Sequence, residues 1–142
     1  MSERKIHILV LCTGNSCRSQ IAHGYLQKFG GDSVHVRSAG TEVHGVNPQA
    51  IAIMKEDGID ISHHTSNHVD EYADKVFDYV ITVCDNAREN CPYIPATTRN
   101  LHHNFEDPAK ARGTEEEIMG QFRKVRDEIK DYARTFAAQI LA

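Results

Sequence analysis

Eight consecutive residues carry most of the chemistry legible in this chain: Cys12-Thr13-Gly14-Asn15-Ser16-Cys17-Arg18-Ser19. Cysteine attacks as its thiolate, a form that a helix N-terminus and a guanidinium both stabilise. Arginine can make a planar, two-pronged contact with a tetrahedral oxyanion. Gly14 lets the backbone curl tightly, and Asn15 tolerates a left-handed conformation. Ser19 is placed either to give a hydrogen bond to the Cys12 sulfur or to cap a following helix. The reading is an oxyanion cradle made by Thr13, Gly14, Asn15, Ser16, Cys17, Arg18 and Ser19, with Cys12 as the nucleophile and Arg18 closing it. The bland alternative is a buried structural cysteine beside a surface arginine.

Three further cysteines and one acid extend this chemistry. Cys84 and Cys91 enclose a polar stretch, residues 85–90, with Pro92 as a stop. Were that stretch helical, the two cysteines would lie about 10 Å apart along the axis. A disulfide needs Cα atoms within roughly 7 Å, so a Cys84–Cys91 bond requires the segment to unwind, and the sequence predicts it to be the mobile part of the protein. The pair also admits plainer readings. Cys84 can be a small core residue and Cys91 an ordinary loop residue. Cys84, Cys91, His102 and His103 also form a conceivable zinc set, but their spacing is unlike a short Cys-x2–4-Cys knuckle. No metal is expected. Cys17 can pair with Cys12 under oxidation or pack beneath the loop. Displacement on an oxyanion also needs a proton for the departing oxygen. Asp107, held extended by Pro108, is the candidate donor, although an Asp-Pro pair is equally at home in a solvated turn.

These residues need a scaffold. The apolar run Ile6–Leu11 reads as a buried strand, and Ile21, Ala22, Tyr25, Leu26 and Phe29 recur on one helical face. The cradle therefore sits in a strand-to-helix turn, where peptide N–H groups and the helix dipole converge. Gly30-Gly31 ends this helix, Ser33–Arg37 is a short strand, and Ser38-Ala39-Gly40-Thr41 reads as a polar turn. Asn47-Pro48 starts a second helix that Gly58 closes. A short helical segment lies near Val69–Ala73. Phe77–Val83 is the clearest strand, with Cys84 at its end, and Arg99–His102 is a candidate fourth. Thr114 and Glu117 form a capping box before a long amphipathic helix marked by Ile118, Phe122, Val125, Ile129, Ala133, Phe136 and Ile140. Alternation of strands and helices gives an α/β fold, with a parallel sheet of about four strands flanked by helices. In such folds the site lies at the carboxyl ends of the strands, where Cys12 and Cys84 both fall.

At 142 residues the chain, 1–142, reads as a single domain. Its net charge of −4 gives no basic surface for nucleic acid. The first apolar run is too short for a signal peptide or membrane span, so a cytoplasmic, monomeric protein without membrane contact is expected. Four cysteines in such a chain argue for catalysis or metal binding rather than a disulfide framework.

Taken together, Cys12 to Ser19, Ser38-Ala39-Gly40-Thr41, His44-Gly45-Val46-Asn47-Pro48, Cys84 with Cys91-Pro92, Phe105-Glu106-Asp107-Pro108 and Arg126-Asp127-Glu128-Ile129 resemble the thioredoxin-coupled arsenate reductases. These share the fold of the low-molecular-weight phosphotyrosine phosphatases, and the likeness spans nearly the whole chain. The Cys84/Cys91 pair, Gln20 after Arg18-Ser19, and Ala109-Lys110 where the phosphatases usually carry an aromatic residue favour the reductase branch. The resemblance implies a relay. Arsenate binds the loop and Arg18, Cys12 attacks arsenic, and Asp107 protonates the departing oxygen. Cys84 then attacks Cys12 and releases arsenite. Cys91 attacks Cys84, and thioredoxin reduces the Cys84–Cys91 bond. No cofactor is bound, and phosphate and sulfate compete as oxyanions. Some of these reductases hold potassium with Asn15, Ser38 and two carboxylates. Here His23 and Asn67 stand at the carboxylate positions, so little potassium activation is expected. His23, His63-His64 and His102-His103 otherwise read as surface or loop histidines, with His64 a weak candidate for positioning the Cys84 segment. The rival readings are a phosphomonoester hydrolase using Cys12 and Asp107, a non-catalytic redox or anion sensor and, least well supported, a flavodoxin-like module.

Overall fold

The computed structural model describes residues 5–72, 74–84 and 96–141. Along them run β1 (Ile6–Cys12), α1 (Arg18–Gly30), β2 (Val34–Gly40), α2 (Pro48–Glu56), β3 (Phe77–Thr82), β4 (Ala96–His102) and α3 (Glu115–Ile140). The strands form one sheet in the order β2-β1-β3-β4, every neighbouring pair parallel. This order sets the place of the site. The chain leaves β1 toward β2 but leaves β3 toward β4, so the connections diverge between β1 and β3. A crevice opens beyond the carboxyl ends of two strands at such a switch point.

The elements form for local reasons. Asn47 Oδ1 accepts from the N–H groups of Gln49 and Ala50, at 2.8 and 3.4 Å, and Pro48 sets the first turn of α2. Thr114 and Glu117 cap α3 reciprocally. α1 stops at Gly31, whose φ of +56° suits glycine. Ile8, Leu9 and Val10 of β1 are buried, as a central parallel strand requires. α1 buries Ile21, Tyr25 and Leu26, and α3 buries Phe122, Val125, Ile129, Ala133 and Phe136. Phe136 meets Tyr79 of β3 edge to face at 5.2 Å, which seats α3 over the sheet. Polar bonds join the helices: Tyr25 Oη donates to Asp57 at 2.7 Å, Lys130 pairs with Asp57 at 2.8 Å, and Arg126 donates to the Ile53 carbonyl at 2.9 Å.

The structure revises two sequence expectations. Ser38 to Gly40 are strand, not turn, because β2 pairs with β1 without a break from Ile6↔Val34 to Cys12↔Gly40. The polar Ser38 can be buried there because its hydroxyl lies 2.9 Å from His23 Nδ1. β4 begins at Ala96 rather than Arg99, following its register with β3. The segment between Cys84 and Cys91, and with it the expected mobility, lies outside the described residues. No helix among the described residues is long and apolar enough to cross a membrane.

Candidate active site

β1 ends at Cys12 and α1 begins at Arg18, so the intervening loop spans the crevice. The carbonyls of Thr13, Gly14, Asn15 and Ser16 accept from Glu42 N, His44 N, Gln20 Nε2 and Asn47 N at 2.9–3.1 Å. A trans peptide directs its N–H away from its own carbonyl. With four successive carbonyls held from outside, the N–H groups of Gly14 to Cys17 turn the other way, an anion-binding arrangement at a helix N-terminus. Asn15 takes the left-handed conformation expected of it, with φ +49°. Gly40 has to be glycine for a related reason: a Cβ there would stand 2.5 Å from the Thr13 carbonyl.

Hydrogen bonds beneath the loop link Asn67 to Cys12 through Asn15 and Ser19. The Asn67 N–H donates to Asn15 Oδ1 at 2.8 Å. That orients the Asn15 amide so that Nδ2 donates to Ser19 Oγ, also at 2.8 Å. The Ser19 hydroxyl in turn lies within hydrogen-bond distance of Cys12 Sγ, at 3.0 Å. Of the two roles open to Ser19, the structure selects the bond to sulfur, and α1 has no side-chain cap.

Arg18 Nη1 donates to the Phe105 carbonyl at 3.0 Å, and Nη2 lies 3.7 Å from Asp107 Oδ2. Asp107 Oδ1 in turn accepts from Ala109 N at 3.0 Å, an arrangement in which the aspartate caps the turn Pro108–Lys110. Cys84, buried just past β3, places Sγ 3.3 Å from the hydroxyl of Thr13. Cys12, Arg18, Cys84 and Asp107 thus line one cleft of about 530 Å³, together with Thr13, Gly14, Ser16 and Cys17. Cys91 lies outside the described residues. Burial pushes the Cys17 thiol up to about 12, despite the lowering effect of its contact with Ser16, so Cys17 stays protonated.

Sequence reasoning missed His44, Asn104, Ala109 and Lys110 as lining residues. They come from loops that only the fold brings together, and only the Asp-Pro turn gave a local signal. Gln20 was noted as a marker of a branch but not as a strut. It is fully buried and donates to the carbonyls of Asn15 and Thr65. His63 and His103 are exposed, as a surface or loop reading expects, whereas His23 and His64 depart from it. His23 is half-buried, stacked on His64 at 4.2 Å, and not a surface residue. His64 Nδ1 lies 2.9 Å from Gln20 Oε1, so His64 braces the loop through Gln20. Burial, with His64, His63 and His35 nearby, pushes the His23 imidazolium down to about 3, and His23 is neutral. His102 Nδ1 lies 2.6 Å from the Thr82 hydroxyl, and His103 stacks against Phe105 at 4.3 Å.

A cysteine at the end of a parallel strand, an anion loop and an arginine at the start of the following helix define a class of enzyme that handles tetrahedral oxyanions through a covalent sulfur intermediate. The chain belongs to the low molecular weight phosphotyrosine protein phosphatase family, which it matches over residues 7–142. Within that family it is similar to proteins named arsenate reductase. One from Halalkalibacterium halodurans is 52% identical over 130 residues, covering 92% of this chain and 94% of that protein. One from Bacillus subtilis is 49% identical over 135 residues, covering 95% and 96%. A solved structure described as an arsenate reductase in the phosphate binding state superposes with a TM-score of 0.78 at 33% identity, covering 95% of this chain and 98% of that one.

Proposed function

We propose that this protein reduces arsenate to arsenite through a Cys12–Cys84–Cys91 relay, in the cytoplasm and as a monomer, with thioredoxin as the electron donor and arsenic detoxification as the result. The observation that carries this reading is the meeting of Cys12 and Cys84 in one cleft with Arg18 and Asp107. A hydrolase needs only the first thiol. A second thiol at the same rim supplies the electrons that reduction requires.

Arsenate enters as a tetrahedral anion, held by the loop N–H groups and Arg18. The Cys12 thiolate forms an S–As bond, and one oxygen leaves as water with a proton from Asp107. Cys84 attacks Cys12 Sγ. As the S–S bond forms, the S–As electron pair passes to arsenic, which falls from As(V) to As(III) and leaves as arsenite. Cys91 then attacks Cys84 and frees Cys12, leaving Cys84–Cys91 for thioredoxin to reduce. The two electrons come from two thiols, so no bound cofactor is required. The anion loop and Asp107 also suit phosphomonoester hydrolysis, and a weak phosphatase activity through Cys12 accompanies this reading.

Arsenite formation with thioredoxin, thioredoxin reductase and NADPH tests it. Wild type turns over, and Cys12→Ser abolishes both arsenite formation and p-nitrophenyl phosphate hydrolysis. Efficient ester hydrolysis without arsenite from the wild type would make the protein a phosphatase and overturn the proposal.

A further inference from the structure

The charges lining the cleft do not balance for a doubly charged substrate. Arg18, 3.7 Å from the proton donor Asp107, supplies one positive charge, and His44 stands 3.3 Å from Glu42. Lys110 is the remaining cation on the wall, and its ammonium makes no ion pair with any described residue. It lies at a junction, since it lines both the Cys12 cleft and the adjoining depression bounded by Arg112, Glu117 and Gln121. It shares a single helical turn with Asp107, to whose carbonyl its N–H donates at 3.2 Å. Asp107 serves the departing oxygen, so Lys110 belongs to the side of the cleft that this oxygen faces.

We propose that Lys110 is the second cation of the oxyanion site, and that it selects free tetrahedral oxyanions over organic monoesters. This rests on the oxyanion reading above and adds a specificity-determining residue to it. In a free oxyanion the oxygen on that side carries charge and attracts an ammonium. In a monoester that oxygen is esterified and carries no charge, and in a phosphonate the corner is carbon, so the attraction is lost. Lys110 is exposed, so its effect is screened by salt, whereas the buried loop contacts are not.

The test uses the reduced full-length protein and inorganic phosphate as the probe, by titration calorimetry, with phenylphosphonate for comparison. Lys110→Gln is expected to weaken phosphate binding about three- to tenfold at low ionic strength, with the gap closing as salt approaches about 0.5 M. Phenylphosphonate binding changes less, and Lys110→Arg restores phosphate binding. Lys124→Gln removes the same charge from α3 and leaves the Kd unchanged. In turnover, Lys110→Gln raises the KM for arsenate with little change in kcat. Unchanged phosphate binding in Lys110→Gln, equal weakening of phosphate and phenylphosphonate, or equal weakening by Lys124→Gln would each overturn the proposal while leaving the oxyanion site intact. A wild type that binds no phosphate would overturn both.

Discussion

At the scale of single residues, the site is a chain of polar contacts that runs from Asn67 through Asn15 and Ser19 to the Cys12 sulfur. A hydrogen bond to a charged partner contributes about 1.5–3 kcal/mol. Ser19→Ala is therefore expected to slow iodoacetamide alkylation of Cys12 by about tenfold or more at neutral pH, with the modified peptide counted by mass spectrometry. An unchanged rate would mean that the sulfur does not depend on this hydroxyl. The residue types and spacing announced Cys12, Asn15 and Arg18, because each type has a distinct chemical use at its position. They left Ser19 with two possible roles, and only the fold, which leaves α1 without a side-chain cap and sets the hydroxyl 3.0 Å from the Cys12 sulfur, decided between them. The histidines show the opposite case. A histidine looks the same in sequence on a surface or in a pocket, and the place of His23 between Ser38 and His64 depends on strands and loops far apart in the chain.

At the scale of elements, signals that act locally were legible and signals that act across the sheet were not. The caps at Asn47 and Thr114 and the stop at Gly31 are properties of a few adjacent residues, and the helices begin and end where those residues stand. The ends of β2 and β4 are set by what they pair with, and both strands run beyond the apolar residues that suggested them. Asp78 is a further case. It looks misplaced in an apolar strand, yet it is buried and joins three strands, accepting from the His7 N–H at 2.8 Å and the Thr97 hydroxyl at 2.9 Å. The register of β3 against β4 shifts at this point, between Phe77 and Tyr79. Asp78→Ala leaves those donors without this acceptor, and the expected loss is about 1–3 kcal/mol of folding stability, measured by urea denaturation. A loss below about 0.5 kcal/mol would mean that water replaces the carboxylate without cost.

At the scale of the whole molecule, the divergence of connections between β1 and β3 explains why one cleft receives Cys12 from one strand and Cys84 from the other. The same packing makes stability depend on pH. His23 and His64 are held down to about 3 and about 4, chiefly by burial, from an ordinary value of 6.5. The unfolded chain takes up their protons near 6.5 and the folded protein does not, so stability is full above 6.5 and falls as pH drops toward the folded values. Between pH 6.5 and about 5 the carboxylates remain ionised, so the urea midpoint is expected to fall over that window and to fall less in His23→Gln. A midpoint constant across it would contradict the burial of these rings. If two thiols supply the electrons in one cleft and a third carries them out, loss of Cys91 must stop the protein after a single turnover. Cys91→Ser is given arsenate in excess with the thioredoxin system, and arsenite and disulfides are quantified together by mass spectrometry. One equivalent of arsenite per protein and a trapped Cys12–Cys84 bond are expected. Sustained turnover without Cys91, or arsenite release with no Cys12–Cys84 bond, would contradict the relay.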